Sequence, residues 1–276
     1  MKRILVLTAA LLPVFAQPAF ARIGVGRVVK MTRDGLKSPL QKAAERGDAK
    51  AQYALGNAYS KGQDVSKSDE QAVSWYQKSA SQGYAPAQAA LGYAYSSGLG
   101  VTHDDQQAVS FFQKAANQGL AEAQYSLAIA YYTGRGVTQN YEQASFWFQR
   151  SANQGFVPAQ FYLGVMYRNG AGIPEDDDRA LFWFHKAADK GYADAQYNLG
   201  LIYHEGKVVK KDEKQATFWY QQAANQGLVE AEFNLGIAYL KGQGVQKDKD
   251  KATFWLEKAA DKGDSHAQDV LEMMNK

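Results

Sequence analysis

Residues 49–264 divide into six units of 36 residues with no insertion between them. The units begin at Ala49, Ala85, Ala121, Val157, Ala193 and Val229. A strict period of this length means that one supersecondary unit, too small to close a core by itself, stacks on copies of itself. One column of the alignment reads Tyr59, Tyr95, Tyr131, Tyr167, Tyr203 and Tyr239. Another reads Trp75, Phe111, Trp147, Trp183, Trp219 and Trp255, and takes up all 5 tryptophans. The 22 glycines from Gly47 onward fall in only four columns. Glycine inside a helix costs about 1 kcal/mol against alanine, so a helical chain this rich in glycine should place most of them at helix ends.

Each unit reads as two helices. In the first, Ala51, Leu55, Ala58 and Tyr59 share a face at helical spacing, and the helix stops near Gly62. A short loop follows, and then a column of Ser68, Asp104, Asn140, Asp176, Asp212 and Asp248. Every member is a favoured N-cap, able to accept an orphan backbone N–H. Gln71, Gln107, Gln143 and Gln215 stand three residues on and would complete capping boxes, whereas Arg179 and Lys251 break that pattern. The second helix turns Ala72, Trp75, Ser79 and Ala80 inward and ends at Gly83 and its equivalents, in a left-handed cap followed by an apolar residue in five units. A glycine column inside the first helix (Gly56, Gly92, Gly164, Gly200, Gly236) would admit a close neighbour, with the Trp and Tyr columns as the bulk it meets.

The ends of the array differ from its middle. Ser38-Pro39-Leu40-Gln41 reads as N-cap, first-turn proline and capping box of a short covering helix, and 265–276 as a more polar C-terminal capping helix. Residues 1–21 have a basic start, an apolar run from Ile4 to Phe15 and small residues before Ala21, the three parts of a cleaved secretory signal. Removing Lys2 and Arg3 takes the formal charge from +3 to +1. The arm 22–37 holds five basic residues and one acid. No later stretch is apolar enough to span a membrane. The expected location is the periplasm, with secretion as the alternative. A near-neutral chain gives no ground for nucleic-acid binding.

These columns resemble the Sel-one-like repeat (SLR) family, relatives of the tetratricopeptide repeat. Residues 193–200, then Tyr203, Gly206, Asp212, Ala216, Trp219, Ala223, Ala224 and Gly227, carry the closest likeness. Asp64 and Val208 depart from it at the second loop glycine. The resemblance implies an all-α, right-handed α-solenoid of six helix-turn-helix repeats with capping helices, the first helices lining its concave side. It also implies an adaptor or regulator of protein complexes, without cofactor.

Residues that would carry catalysis are missing. With 0 cysteines there is no thiolate nucleophile, zinc thiolate or disulfide. Serine β-lactamase, nucleophile-elbow and phosphate-loop motifs are absent. His103, His185, His204 and His266 occupy different columns without ligand spacing, and Glu175 to Asp178 is a solvated helix start. A β-lactamase-like or cell-wall hydrolase therefore remains only an alternative, as does a secreted effector that binds host proteins.

Binding of a protein or peptide is the better reading, because the first helix has a second apolar face. At 100° per residue, positions 53, 57 and 60 of the unit lie opposite Leu55 and Ala58. Their columns supply Tyr53, Tyr125, Phe161, Tyr197 and Phe233, then Tyr93, Ile129, Val165, Leu201 and Ile237, then Tyr132, Arg168, His204 and Leu240. Either these side chains line a partner groove, with Arg168 and His204 receiving an acidic group, or they pack between repeats. For the export signal the test is direct: N-terminal sequencing of the mature protein should begin at Arg22, and a retained Met1 would remove the exported reading.

Overall fold

The structure, a computed structural model, describes residues 38–275, so the expected signal 1–21 and arm 22–37 lie outside the described residues. The described residues form fourteen α-helices and no strand. They fall into two compact units divided between Phe156 and Val157. The first holds α1 (Pro39–Glu45), α2 (Ala49–Lys61), α3 (Asp69–Ser81), α4 (Ala85–Ser97), α5 (Asp105–Asn117), α6 (Ala121–Thr133) and α7 (Tyr141–Asn153). The second holds α8 (Val157–Asn169), α9 (Asp177–Ala188), α10 (Ala193–Glu205), α11 (Glu213–Asn225), α12 (Val229–Lys241), α13 (Lys249–Asp261) and α14 (Ser265–Met274). Even-numbered helices from α2 to α12 are the first helices of the six repeats, and the odd-numbered α3 to α13 the second. The fold is an all-α repeat solenoid.

Helix ends follow the sequence closely. All six N-cap side chains accept the backbone N–H three residues on, including those of Arg179 and Lys251, where the reciprocal half of a box is chemically impossible. The two-way capping box forms at Ser38 and Gln41, with Pro39 at the first turn of α1. At the far end of each second helix the glycine takes a positive φ, as Gly83 does at +85°. The next residue reaches back, Tyr84 N–H to Ser79 O at 3.4 Å, which closes the exposed carbonyls.

The glycines inside the first helices mark where a second helix comes closest. A Cβ at Gly92 would lie 2.5 Å from Phe112 Cε1, and one at Gly164 2.9 Å from Phe184 Cδ1. The ring that demands the space belongs to the column after the tryptophans, not to the Trp or Tyr columns. Phe112, Phe148 and Phe184 are almost fully buried, whereas Trp75 and Trp183 are only partly so.

Adjacent repeats are tied by a buried amide. Gln88 Nε2 donates to Ala80 O, at the end of the preceding second helix, while its Oε1 accepts from Gln118 Nε2 of its own repeat at 2.7 Å. Gln124 repeats the pattern with Ala116 and Gln154, and Gln196 with Ala188 and Gln226. In the sixth repeat both partners change together: Glu232 accepts from Lys262 Nζ at 2.7 Å. The Glu232 side chain is 1% exposed, and its Oε2 has no hydrogen-bond partner. Lys262 is itself 40% exposed, but removing it leaves the buried Glu232 carboxylate without its partner. Lys262→Ala should therefore lower stability by about 2 kcal/mol. The double change Glu232→Gln with Lys262→Gln should recover most of it by restoring the amide pair of Gln196 and Gln226. Denaturant melts of the three proteins read this directly.

Candidate functional site

Four of the five aromatic residues expected to line a groove are buried core. Tyr53, Tyr125, Phe161 and Tyr197 are 5–6% exposed. Tyr53, Tyr125 and Phe161 are each caught between a ring on the second helix of their own repeat and the last residue of that repeat. Tyr53 lies 5.8 Å from Tyr76 and 5.5 Å from Tyr84, Tyr125 5.8 Å from Phe148 and 5.1 Å from Phe156. Phe161 is placed in the same way against Phe184 and Tyr192. Tyr53 also clusters with Ala87 and Leu91 of α4, and Tyr197 with Ala231 and Leu235 of α12, so the apolar second face of α2 and of α10 is filled by the next repeat. Ile129 and Val165 are buried as well, at 3% and 2%. These six side chains are not available to a partner. Burial pushes the phenol of Tyr53 up to about 12, partly opposed by a hydrogen bond from Asn57, and that of Tyr197 also up to about 12, with the Glu230 charge adding to it.

The remaining members of the expected groove stay partly exposed. In the first unit Tyr93 packs edge-on to Phe112 at 5.0 Å, and its hydroxyl and the Ser126 hydroxyl are 2.8 Å apart. Tyr132 lies against Tyr141 at 5.4 Å. In the second unit Leu201, Phe233, Ile237 and Leu240 are half-buried on α10 and α12. Leu201 leans on the core cluster of Tyr197 and Leu235, and Phe233 and Ile237 on that of Leu256 and Ala267. Leu240 belongs to neither cluster.

The two basic residues of the expected groove already hold acids of their own repeats. Arg168 Nη1 is 3.2 Å from Asp177 Oδ1, with only 11% of the arginine side chain exposed. His204 Nδ1 is 2.8 Å from Glu213 Oε2, and Lys211 Nζ takes the other oxygen at 2.8 Å. Burial works to raise the Glu213 carboxyl, but Lys211 and His204 outweigh it and hold it below the usual range. An acidic group from outside would have to displace these carboxylates, so the expected acid-receiving pair is corrected to two internal ion pairs.

One row escaped the sequence reading. Phe146, Phe182, Phe218 and Phe254 are 47–52% exposed, each directly before a tryptophan of the 36-residue period. Their regular spacing was visible. Next to a partly buried tryptophan, however, a phenylalanine gives no sequence sign of facing out. Among the described residues no group of three His, Asp or Glu side chains is arranged to hold a metal ion, and no helix is long and apolar enough to cross a membrane.

Comparison with known proteins places these columns. A family model described as Sel1 repeat matches residues 49–84, 85–120, 121–156, 157–192, 193–228 and 229–264. The structure is similar to c5321 of uropathogenic Escherichia coli, a protective antigen displaying an SLR fold. The two share 35% identity at a TM-score of 0.80, over 83% of this chain and 49% of that one. It is also similar to a Sel1 repeat protein from Oxalobacter formigenes, at 34% identity and a TM-score of 0.73, over 81% of this chain and 88% of that one. The chain thus spans about half the length of the first and most of the second. No curated protein matches it.

The buried phenols set an alkaline limit. Tyr53 and Tyr197 titrate near 10 when unfolded and near 12 when folded, so folding favours their neutral forms. Their contribution is complete below the unfolded value and is lost as pH rises from 10 toward 12. Melting temperatures should fall across that interval, and less steeply in Tyr197→Phe; a flat profile would contradict the burial described.

Proposed function

The chain belongs to the Sel1 repeat family, and we propose that it is an exported adaptor or regulator that holds a protein or peptide partner on the face of its first helices. Repeats of this family generally serve as protein-interaction scaffolds. The observation that carries the reading is the stripe left on α10 and α12 once the buried columns are removed. Leu201, Ile237 and Leu240 keep apolar surface in water, although the same columns in the neighbouring α8 are occupied by the buried Val165 and the ion-paired Arg168. Partly exposed aliphatic groups on a helix layer offer a partner area at little ordering cost.

Two further points support the proposal. The similar E. coli protein is a protective antigen, and an antigen must be reachable by antibodies, which agrees with the export signal expected of residues 1–21. Beside the stripe the His204 imidazole is held by Glu213 rather than by a serine. The proposal includes no catalytic step.

A photo-crosslinking residue at Leu240, introduced in cells, should capture a partner that the same residue at Gln215, on a second helix, does not. Leu240→Arg should cut capture roughly tenfold. Leu240 lies outside the core clusters, so the melt should hardly move. Equal capture from both positions, or capture that survives Leu240→Arg in a folded protein, would remove the first-helix face as the binding surface.

A further inference from the structure

The exposed phenylalanines lie on the second helices, away from the stripe just described. Within one compact unit, Phe182 of α9, Phe218 of α11 and Phe254 of α13 are 52%, 50% and 50% exposed. Each ring sits edge-on to the tryptophan after it, at 5.1, 5.0 and 5.0 Å. Half-exposed, the three together hold about 300 Å² of apolar surface, the size of patch that marks an interaction site.

Charge is ordered around this row. Four residues before the rings stand Asp178, Lys214 and Asp250, and four after them Lys186, Gln222 and Lys258. Residues four apart share a helix face. On α9 and α13 each ring is therefore flanked by a carboxylate on one side and an ammonium on the other. Lys186 Nζ lies 5.5 Å from the Phe182 ring and Lys258 Nζ 5.1 Å from the Phe254 ring. Among the described residues none of these four charges makes an ion pair, whereas the adjacent Arg179 and Lys251 are held by Asp176 and Asp248 at 3.2 Å. Asp178 and Lys186 are about 12 Å apart along one helix, too far to pair.

The helix dipole accounts for acid near the start of a helix and base near its end. It does not account for the ring between them. The first repeat keeps Glu70 and Lys78 around Ser74, and the second has Ser110 at the same place. In the other compact unit, α7 carries the triplet again as Glu142, Phe146 and Arg150.

We propose that the Phe182, Phe218 and Phe254 face binds a second copy of this chain, helix against the same helix and antiparallel. A two-fold axis running along the phenylalanine row sets each ring on its own equivalent and turns the basic side of each helix onto the acidic side. Lys186 then meets Asp178 of the partner subunit, Lys258 meets Asp250 of the partner subunit, and Glu257 meets Lys251 of the partner subunit. A two-fold axis along the helices would instead oppose lysine to lysine and aspartate to aspartate. A partner of one sign, an acidic peptide or an anionic membrane, would suit the lysine column and be repelled by the aspartates. The mixed pattern suits a self-complementary, closed contact.

Sedimentation velocity of the purified protein over a range of concentrations tests this. The wild type should dimerise. F182S/F218S/F254S, which takes the residue found at Ser74 and Ser110, should be monomeric with unchanged helical CD. D178K/D250K and K186E/K258E should each self-associate about tenfold or more weakly, and mixed one to one they should regain dimers, since each then opposes lysine to acid in both columns. A wild type that stays monomeric overturns the proposal, and so do folded charge variants that fail to rescue one another. A monomeric wild type that co-sediments with phosphatidylglycerol vesicles would overturn it in favour of a membrane surface.

Discussion

A carboxamide that almost never sees water ties a first helix to the second helix before it, in each of the two compact units. Gln88 and Gln196 are 6% and 5% exposed, and each spends its donor on the preceding repeat and its acceptor on its own. Neither bond can be dropped cheaply, because a buried polar group left unpaired costs about 1–3 kcal/mol. The first helix is thereby fixed in register between two second helices. Once it is fixed, the bulky rings of its neighbours must go somewhere, and the glycine column and the tyrosine and phenylalanine rings follow from that.

The fold was almost wholly legible because its determinants are local and repeated. N-caps, left-handed glycines and a 36-residue period each act within one or two turns, and six copies make chance agreement implausible. The site was less legible because a helical wheel gives directions without saying what stands in each. Tyr53 and Leu240 lie on the same side of the first helix by spacing, yet one is sealed by Tyr84 and the other is not. Trp75 drew attention as the bulkiest column, while the ring that fills the close approach is its neighbour, as Phe112 shows. The glutamines look like ordinary surface residues in a sequence, and only the geometry shows them buried.

Charged residues tell a similar story. Arg168 and His204 share a column of the first helix, where the sequence points to a site for an acidic group. Each instead faces an acid near the start of the following helix, Asp177 and Glu213. Such acids are expected there on dipole grounds, and the short loop brings Asp177 and Glu213 within reach of Arg168 and His204.

Glu232 and Lys262 belong to one repeat, as do Gln196 and Gln226. The two chemistries are therefore separate cassettes, each whole between its first and last residues. A gene duplication or deletion cut at a repeat boundary moves both partners together and leaves this pairing intact. A crossover inside the thirty-residue span would join a neutral amide to a lone lysine, or a buried carboxylate to an amide. This array can lengthen or shorten freely only in whole units, and the boundaries at which it can do so are set by one buried contact.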